Sequence, residues 1–365
     1  MSDIAPLFRP LSMGGLELPN RVLMAPLTRN RAHSDGTPKA MAEEYYHQRA
    51  SAGLIITEAT QVSPEGKGYL DTPGIHEDSH VAGWRRITET VHAAGGRIFL
   101  QLWHVGRISH TSLLPEGVVP VAPSAIRAKS QVFGTDGFVD VSEPRALEAD
   151  ELPRIVADYA RAAARAKEAG FDGIEVHAAN GYLLDQFLRD GSNRREDAYG
   201  GSAENRARLA LEVTEAVASV WGADRVGIRL SPFGSFNDMS DSDPEATFGT
   251  IYRALDKLRL AYLHVVESFP GSDSGPDELA ALERLRGLWT GTYIANGGFN
   301  ATRAADWIAR GRADAVSFGR PFIANPDLPE RYQLGAGLTT PNEATFYGGG
   351  TEGYTDYPFR AQEAA

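Results

Sequence analysis

The segment Gly173–Leu188, GIEVHAANGYLLDQFL, carries an imidazole, a carboxamide and a phenol close together: His177, Asn180 and Tyr182. Ile174 and Val176 ahead of them read as a buried strand, and Asn180-Gly181 reads as a tight turn. Leu183, Leu184, Phe187 and Leu188 then return at helical spacing. The pattern is that of a site built on the C-terminal end of a strand. His177 also raises the question of a metal. A barrel metallohydrolase needs several histidines and carboxylates converging, often as H-x-H at a strand end. No H-x-H occurs among the 9 histidines. His104 and His264 have only Glu58 and Glu267 as acidic companions at comparable positions, so no metal is expected.

Other polar groups stand at the ends of short apolar runs. Arg229 lies inside IRLS, where a buried charge must either pair with an acid or face an anionic ligand. Gln101, in a similar run, must be satisfied by backbone or by a ligand edge offering both donor and acceptor. Thr28 reads as either a ligand contact or a helix N-cap, and Tyr182, alone, as either an acid or a core aromatic with a bonded hydroxyl. Two further runs end in Asn296-Gly297-Gly298 and Gly319-Arg320. Glycines let backbone N–H groups approach a phosphate closely, and an arginine can grip it bidentately. The alternative is that these glycines serve only tight turns.

The elements that must position these groups recur along the chain. The β-rich runs are Arg21–Leu27, Leu54–Ala59, Arg97–Trp103, Gly173–Ala178, Val226–Ser231, Tyr262–Glu267, Tyr293–Gly297 and Ala315–Gly319. Most lack in/out alternation, as parallel strands covered on both faces do. Helical patterns separate them: Ser79–Ala94, Leu152–Ala169 closing at Gly170, Ser202–Trp221 with Ser202 as N-cap, a helix opened by Asp243-Pro244, Pro276–Leu288 and Thr302–Ala309. This alternation predicts a (β/α)8 barrel, whose chemistry sits where strands end. A doubly wound sheet would want G-x-G-x-x-G after the first strand, where the chain has Thr28-Arg29-Asn30-Arg31.

We expect one domain over residues 1–365. Residues 7–20 suggest a hairpin plugging the barrel's N-terminal end. Residues 104–150 form a long insertion after the third strand, with a hairpin turning at Asp136-Gly137, and read as a lid.

Composition narrows the partners. A net charge of −12 argues against nucleic acid and anionic membrane surfaces. The absence of cysteine excludes disulfides, thiolate nucleophiles and cysteine-ligated metals. No signal peptide or long apolar span is visible, which points to a cytoplasmic protein, monomer or homodimer.

Read together, the motifs resemble the Old Yellow Enzyme family of FMN-dependent ene-reductases. The matching segments are APLTR (Ala25–Arg29), GLIITEAT (Gly53–Thr60), QLWHVGRISH (Gln101–His110), EVHAANGYLLDQFL (Glu175–Leu188), YGGSAENRARL (Tyr199–Leu209), GIRLSP (Gly227–Pro232), FGRPFIANPDL (Phe318–Leu328) and FYGGGTEGYTDYP (Phe346–Pro358). They look closest to the bacterial branch that reduces N-ethylmaleimide, nitrate esters and morphinone-type enones.

The resemblance implies non-covalent FMN, reduced by NADPH or NADH, and activated alkenes or nitro compounds as substrates. Thr28 would bond the isoalloxazine, with Pro26, Leu27 and Ala59 as its walls, and Gln101 would meet the pyrimidine edge. Arg229 would face the part of the ring that gains negative charge, and Gly298, Gly319 and Arg320 would hold the phosphate. His177 and Asn180 would donate to the substrate oxygen, and Tyr182 would protonate the adjacent carbon. Tyr69, Trp103 and Tyr347 would line the pocket. Some family members carry His where this chain has Asn180, and segment 127–142 of the insertion matches no family pattern.

The rival reading is a non-flavin barrel hydrolase or aldolase. An aldolase needs a Schiff-base lysine at a strand end, and none of the eight runs contains lysine.

Overall fold

The computed structural model describes residues 3–134, 137–268 and 275–363. Parallel strands close into a barrel: Val22–Met24, Ile55–Ile56, Ile98–Trp103, Gly173–His177, Val226–Leu230, Tyr262–Val266, Tyr293–Asn296 and Ala315–Phe318. Each pairs with the next in sequence, and the last returns to the first through Val316↔Val22. This is the expected (β/α)8 fold. The strands are buried on both faces, which is why their sequences do not alternate. The second is interrupted: Ile55–Ile56 and Thr60–Gln61 both pair with Ile98–Trp103, and Thr57–Ala59 bend between them.

Helices pack outside, close to the predicted positions. Ser202 caps Ala203–Trp221 by accepting from the Asn205 N–H at 3.3 Å, and Asp243 caps Pro244–Asp256 by accepting from Ala246 at 3.0 Å. Gly170 lies one residue past the cap of Leu152–Glu168, with φ +85°, and its N–H closes back on Lys167 O. Met41–His47, between the first two strands, has no counterpart in the sequence reading. It is under two full turns long, with Glu43 and Glu44 in its first turn.

The N-terminal hairpin is a plug as expected. Leu11–Met13 pairs antiparallel with Leu16–Leu18, and its apolar side chains pack on Leu23, Ile56, Phe99, Tyr262 and Ile294 inside the barrel. Each such side chain contributes about 1.5–3 kcal/mol when fully buried. Gly14 sits at the turn with φ +52°, where a Cβ would lie 1.8 Å from the Asp224 carbonyl oxygen.

Within residues 104–150, Val121–Ala122 pairs with Arg145–Ala146, and Gln131–Gly134 pairs antiparallel with Gly137–Asp140. The hairpin is therefore where the sequence places it; Asp136 of its turn lies outside the described residues.

Arg29 and Arg31, just beyond the first strand, tie down the C-terminal segment. Arg29 donates to the carbonyls of Phe346 and Gly353, and Arg31 to those of Thr345, Gly350 and Glu352. Both guanidiniums lie over the Tyr354 ring. Tyr347 is thereby carried to the same end of the barrel as Thr28 and Tyr182.

Candidate active site

The turn that releases the central cluster is built from local hydrogen bonds. Asn180 adopts φ +60° and Gly181 φ +76°, a left-handed pair that asparagine and glycine tolerate. The Asn180 N–H donates to Ser231 Oγ at 2.8 Å, and the Gly181 N–H to Asp185 Oδ2 at 2.8 Å. Asp185 is itself held by Arg189 at 2.9 Å, a fully buried pair. A Cβ on Gly181 would come within 2.8 Å of the Phe236 carbonyl oxygen, so the position requires glycine.

A cavity of about 980 Å³ opens at the C-terminal ends of the strands. That is near the upper end of the roughly 300–1,000 Å³ usual for ligand clefts. Its wall includes Pro26, Leu27, Thr28, Tyr69, Asn180, Tyr182, Arg229, Gly298, Gly319, Arg320 and Tyr347. Ala59, Gln101, Trp103 and His177 are buried and are not part of this wall. Trp103 stacks on Tyr69 with centroids 5.6 Å apart and meets Tyr182 edge-on at 4.9 Å. His177 meets the Tyr182 ring edge-on at 5.2 Å. Thr28 caps no helix, since the next one begins at Met41.

The electrostatics distinguish the three members of the cluster. Burial, reinforced by the positive Arg229 and by His264, lowers the His177 pKa well below the ordinary imidazole value, so it is neutral. Burial pushes the Tyr182 phenol up to about 12 against the hydrogen bond it shares with Tyr69, whose hydroxyl is 3.2 Å away. Tyr182 is thus a protonated phenol throughout the physiological range.

Arg229 donates one Nη to Asn296 Oδ1 at 2.9 Å, and its Nε has no partner. His177 Nδ1, Asn180 Oδ1 and Trp103 Nε1 are likewise buried and unpartnered. Buried polar atoms are nearly always satisfied, so orphans on Arg229 and Asn180, which line the cavity, and on His177 and Trp103, which touch Tyr182 of its wall, mark where a polar ligand belongs.

His264 pairs with Glu175, not with Glu58 or Glu267: Nδ1 to Oε2 is 2.8 Å. His104 faces Glu65 at 3.7 Å. Glu58 instead accepts from the Arg29 backbone N–H and lies 3.5 Å from the Tyr46 hydroxyl. Glu175 is a site residue that the strand-end pattern alone does not single out. Its signal was a carboxylate in a non-alternating strand, two residues before His177 and hence on the same face.

At the far end of the cavity, Gly297 and Gly298 take φ +117° and +60°. A Cβ on Gly298 would find no atom nearer than 3.8 Å. Arg320 is largely exposed at the start of the short helix Arg320–Ala324, with Glu343 3.7 Å away. The Arg303 guanidinium also reaches toward Gly298, a cation absent from the sequence reading.

These groups suit FMN. Open glycine backbone with arginines fits a phosphate, and a buried unsatisfied guanidinium fits a ring that gains negative charge. A flavin-binding barrel oxidoreductase is the class this architecture defines. Sequence comparison makes it particular: the NADH:flavin oxidoreductase / NADH oxidase family profile matches residues 6–338, and the chain belongs to that family.

Among solved structures, morphinone reductase in complex with tetrahydroNAD is similar, with 53% identity and TM-score 0.91 over 97% of both chains. The Old Yellow Enzyme homologue from Zymomonas mobilis is 44% identical, with TM-score 0.93 over 96% of this chain and 99% of that one. The 12-oxophytodienoate reductase 1 of Oryza sativa subsp. japonica is 46% identical over 361 residues, 97% of this chain and 93% of that protein. The chain is an FMN-dependent oxidoreductase of the Old Yellow Enzyme family, fed by reduced nicotinamide. Among the described residues, no helix is long and apolar enough to cross a membrane.

Proposed function

We propose that the protein reduces the C=C bond of α,β-unsaturated carbonyl and nitro compounds. The observation that carries this reading is the convergence of a neutral imidazole, a free carboxamide and a protonated phenol beside a flavin-sized cavity. Bound FMN would supply the hydride chemistry, passing reducing equivalents from NADH or NADPH to the electron-poor carbon of the alkene.

The chain's own residues do the rest. Thr28, Pro26, Leu27, Ala59 and Gln101 would hold the ring, and Gly298, Gly319 and Arg320 the phosphate. Arg229 supplies a fixed positive charge where negative charge accumulates. His177 donates to the substrate oxygen as a neutral imidazole, and the Asn180 carboxamide, with no partner for Oδ1, is free to turn its Nδ2 to the same oxygen. Two aimed donors stabilise the charge that develops there. The Tyr182 O–H then gives its proton to the carbon adjacent to the activating group, so that hydride and proton together saturate the double bond. Tyr69, Trp103 and Tyr347 confine a flat substrate, and the 104–150 insertion, whose Phe133 and Phe138 reach the cavity mouth, acts as its lid.

Use of NAD(P)H is in keeping with a cytoplasmic setting, and the net charge of −12 supports small-molecule partners over nucleic acid. The test is anaerobic turnover of 2-cyclohexenone with NADPH or NADH in D2O. The expected product is cyclohexanone with one deuterium, on the carbon next to the carbonyl. A product reduced at the carbonyl, or no product, refutes the reading.

A further inference from the structure

Beneath the cavity, polar side chains from six barrel strands form one continuous line. Arg229 Nη donates to Asn296 Oδ1 at 2.9 Å, and Asn296 Nδ2 donates to Ser317 Oγ at 2.9 Å. Ser317 Oγ is 2.8 Å from His264 Nε2, and His264 Nδ1 is 2.8 Å from Glu175 Oε2. At the other carboxylate oxygen, Gln101 Nε2 donates to Glu175 Oε1 at 2.7 Å. Glu175 and His264 are fully buried, and Gln101 nearly so.

The directions in this line are determined by elimination. A guanidinium only donates and an ionised carboxylate only accepts. Asn296 accepts on Oδ1, so Nδ2 is the end that reaches Ser317. The Ser317 hydroxyl, receiving that hydrogen, has its own free for His264 Nε2. His264 must then carry its proton on Nδ1, toward Glu175. From Arg229 to Glu175 every bond points the same way, toward the anion, and Gln101 donates to the same carboxylate from the other side. Burial works to raise the Glu175 pKa, but His264, Arg229 and Gln101 hold it below the usual carboxylate value. Burial lowers His264, in keeping with a neutral ring.

Two consequences follow for the pocket, both resting on the flavin reading above. Because Gln101 gives Nε2 to Glu175, its Oε1 is the end left for a ligand. A buried anion also partly offsets the field of Arg229, the cation beside the flavin ring. We infer that Glu175 is a positioning residue of the cofactor site: as the terminal acceptor of this one-way line, it fixes which end of the Gln101 amide faces the cofactor and tempers the Arg229 charge.

Glu175→Gln tests this with almost no change in shape. If the oxygen of the introduced carboxamide still accepts from His264, its NH2 group faces Gln101 Nε2, two donors in opposition. Gln101 must rotate and present its N–H group to the cavity. Loss of the anion and this rotation act in the same direction, favouring the reduced, more negative cofactor. The expected result is weaker binding of oxidised FMN and an affinity ratio, reduced over oxidised, raised at least tenfold. For a two-electron couple, tenfold corresponds to about 30 mV of midpoint potential. Wild-type values for both FMN affinity and midpoint potential in Glu175→Gln would overturn the assignment.

A second measurement does not need the variant to fold. Selective 15N labelling of histidine in the wild-type protein should report His264 at pH 7 as a neutral ring protonated on Nδ1. An imidazolium, or a ring protonated on Nε2, breaks the line and overturns the proposal. If the wild-type protein takes up no FMN, it is the flavin reading that fails, and the His264 tautomer still decides the direction of the line.

Discussion

Replacing Tyr182 by Phe removes one oxygen from a site where everything else can stay. The ring keeps its edge-on contacts to Trp103 at 4.9 Å and to His177 at 5.2 Å, so the pocket should hold its shape. The lost partner is the Tyr69 hydroxyl, which remains on the cavity wall with access to water. The structural cost is therefore about 1 kcal/mol, that of a single neutral hydrogen bond. The chemical cost is much larger. A positioned general acid accounts for roughly 10²–10⁴ in rate, or about 3–5 kcal/mol of barrier. The loss should fall on one half-reaction only. Stopped-flow absorbance at the flavin band separates the two. Reduction of the bound cofactor by NADPH should be nearly unchanged in Tyr182→Phe, while reoxidation by 2-cyclohexenone slows by that factor and loses its solvent deuterium isotope effect. The pH profile supplies a second check. Burial pushes Tyr182 up to about 12, and an acid works below its pKa, so the wild-type reoxidation rate should be flat from pH 6 to about 10. His177, neutral throughout that range, adds no inflection near 6.5. Equal slowing of both half-reactions, or unimpaired reoxidation, would refute the assignment of Tyr182 as proton donor.

Other substitutions probe the parts that hold this site. Arg320→Ala should weaken FMN affinity by roughly 10–150-fold in an equilibrium titration, the equivalent of about 1.5–3 kcal/mol for one charge-assisted hydrogen bond; unchanged affinity would remove Arg320 from the phosphate site. Arg31→Ala strips donors from the carbonyls of Thr345, Gly350 and Glu352 and should cost on the order of 3 kcal/mol, with faster amide exchange across 345–354 as its local signature. Burial raises Glu58 to about 7 against the opposing Arg29, so its contribution to stability is complete below the unfolded value of 4.5 and is lost as pH rises through 7. Complete burial makes that loss about 3 kcal/mol, and Glu58→Gln should flatten the fall in melting temperature between pH 5 and 8.

The barrel was legible because its determinants are local. Runs such as Arg97–Trp103 and Gly173–Ala178 lack alternation only because both faces are covered, and Ser202, Asp243 and Gly170 mark helix ends by their own chemistry. The polar groups at strand ends were legible for a similar reason, since in this fold the end of a strand is the mouth of the barrel. Pairings across the barrel were not. Glu175 and His264 are far apart in sequence, and nothing near His264 shows that its carboxylate comes from the fourth strand and not from Glu267 at its own. The clamp formed by Arg29 and Arg31 was hidden in the same way, because its acceptors are backbone carbonyls hundreds of residues away, which no residue type announces. Met41–His47 escaped because a helix this short shows too little of its periodicity.

In this mechanism one cavity holds FMN, accepts electrons from reduced nicotinamide and passes them to an activated alkene. Anaerobic double-mixing spectroscopy on the FMN-loaded protein tests it in a single trace. NADPH or NADH should bleach the flavin absorbance, and 2-cyclohexenone mixed in afterwards should restore it with formation of cyclohexanone in equal amount. A protein that takes up no FMN, or whose bleached flavin is left unchanged by the enone, would refute this mechanism.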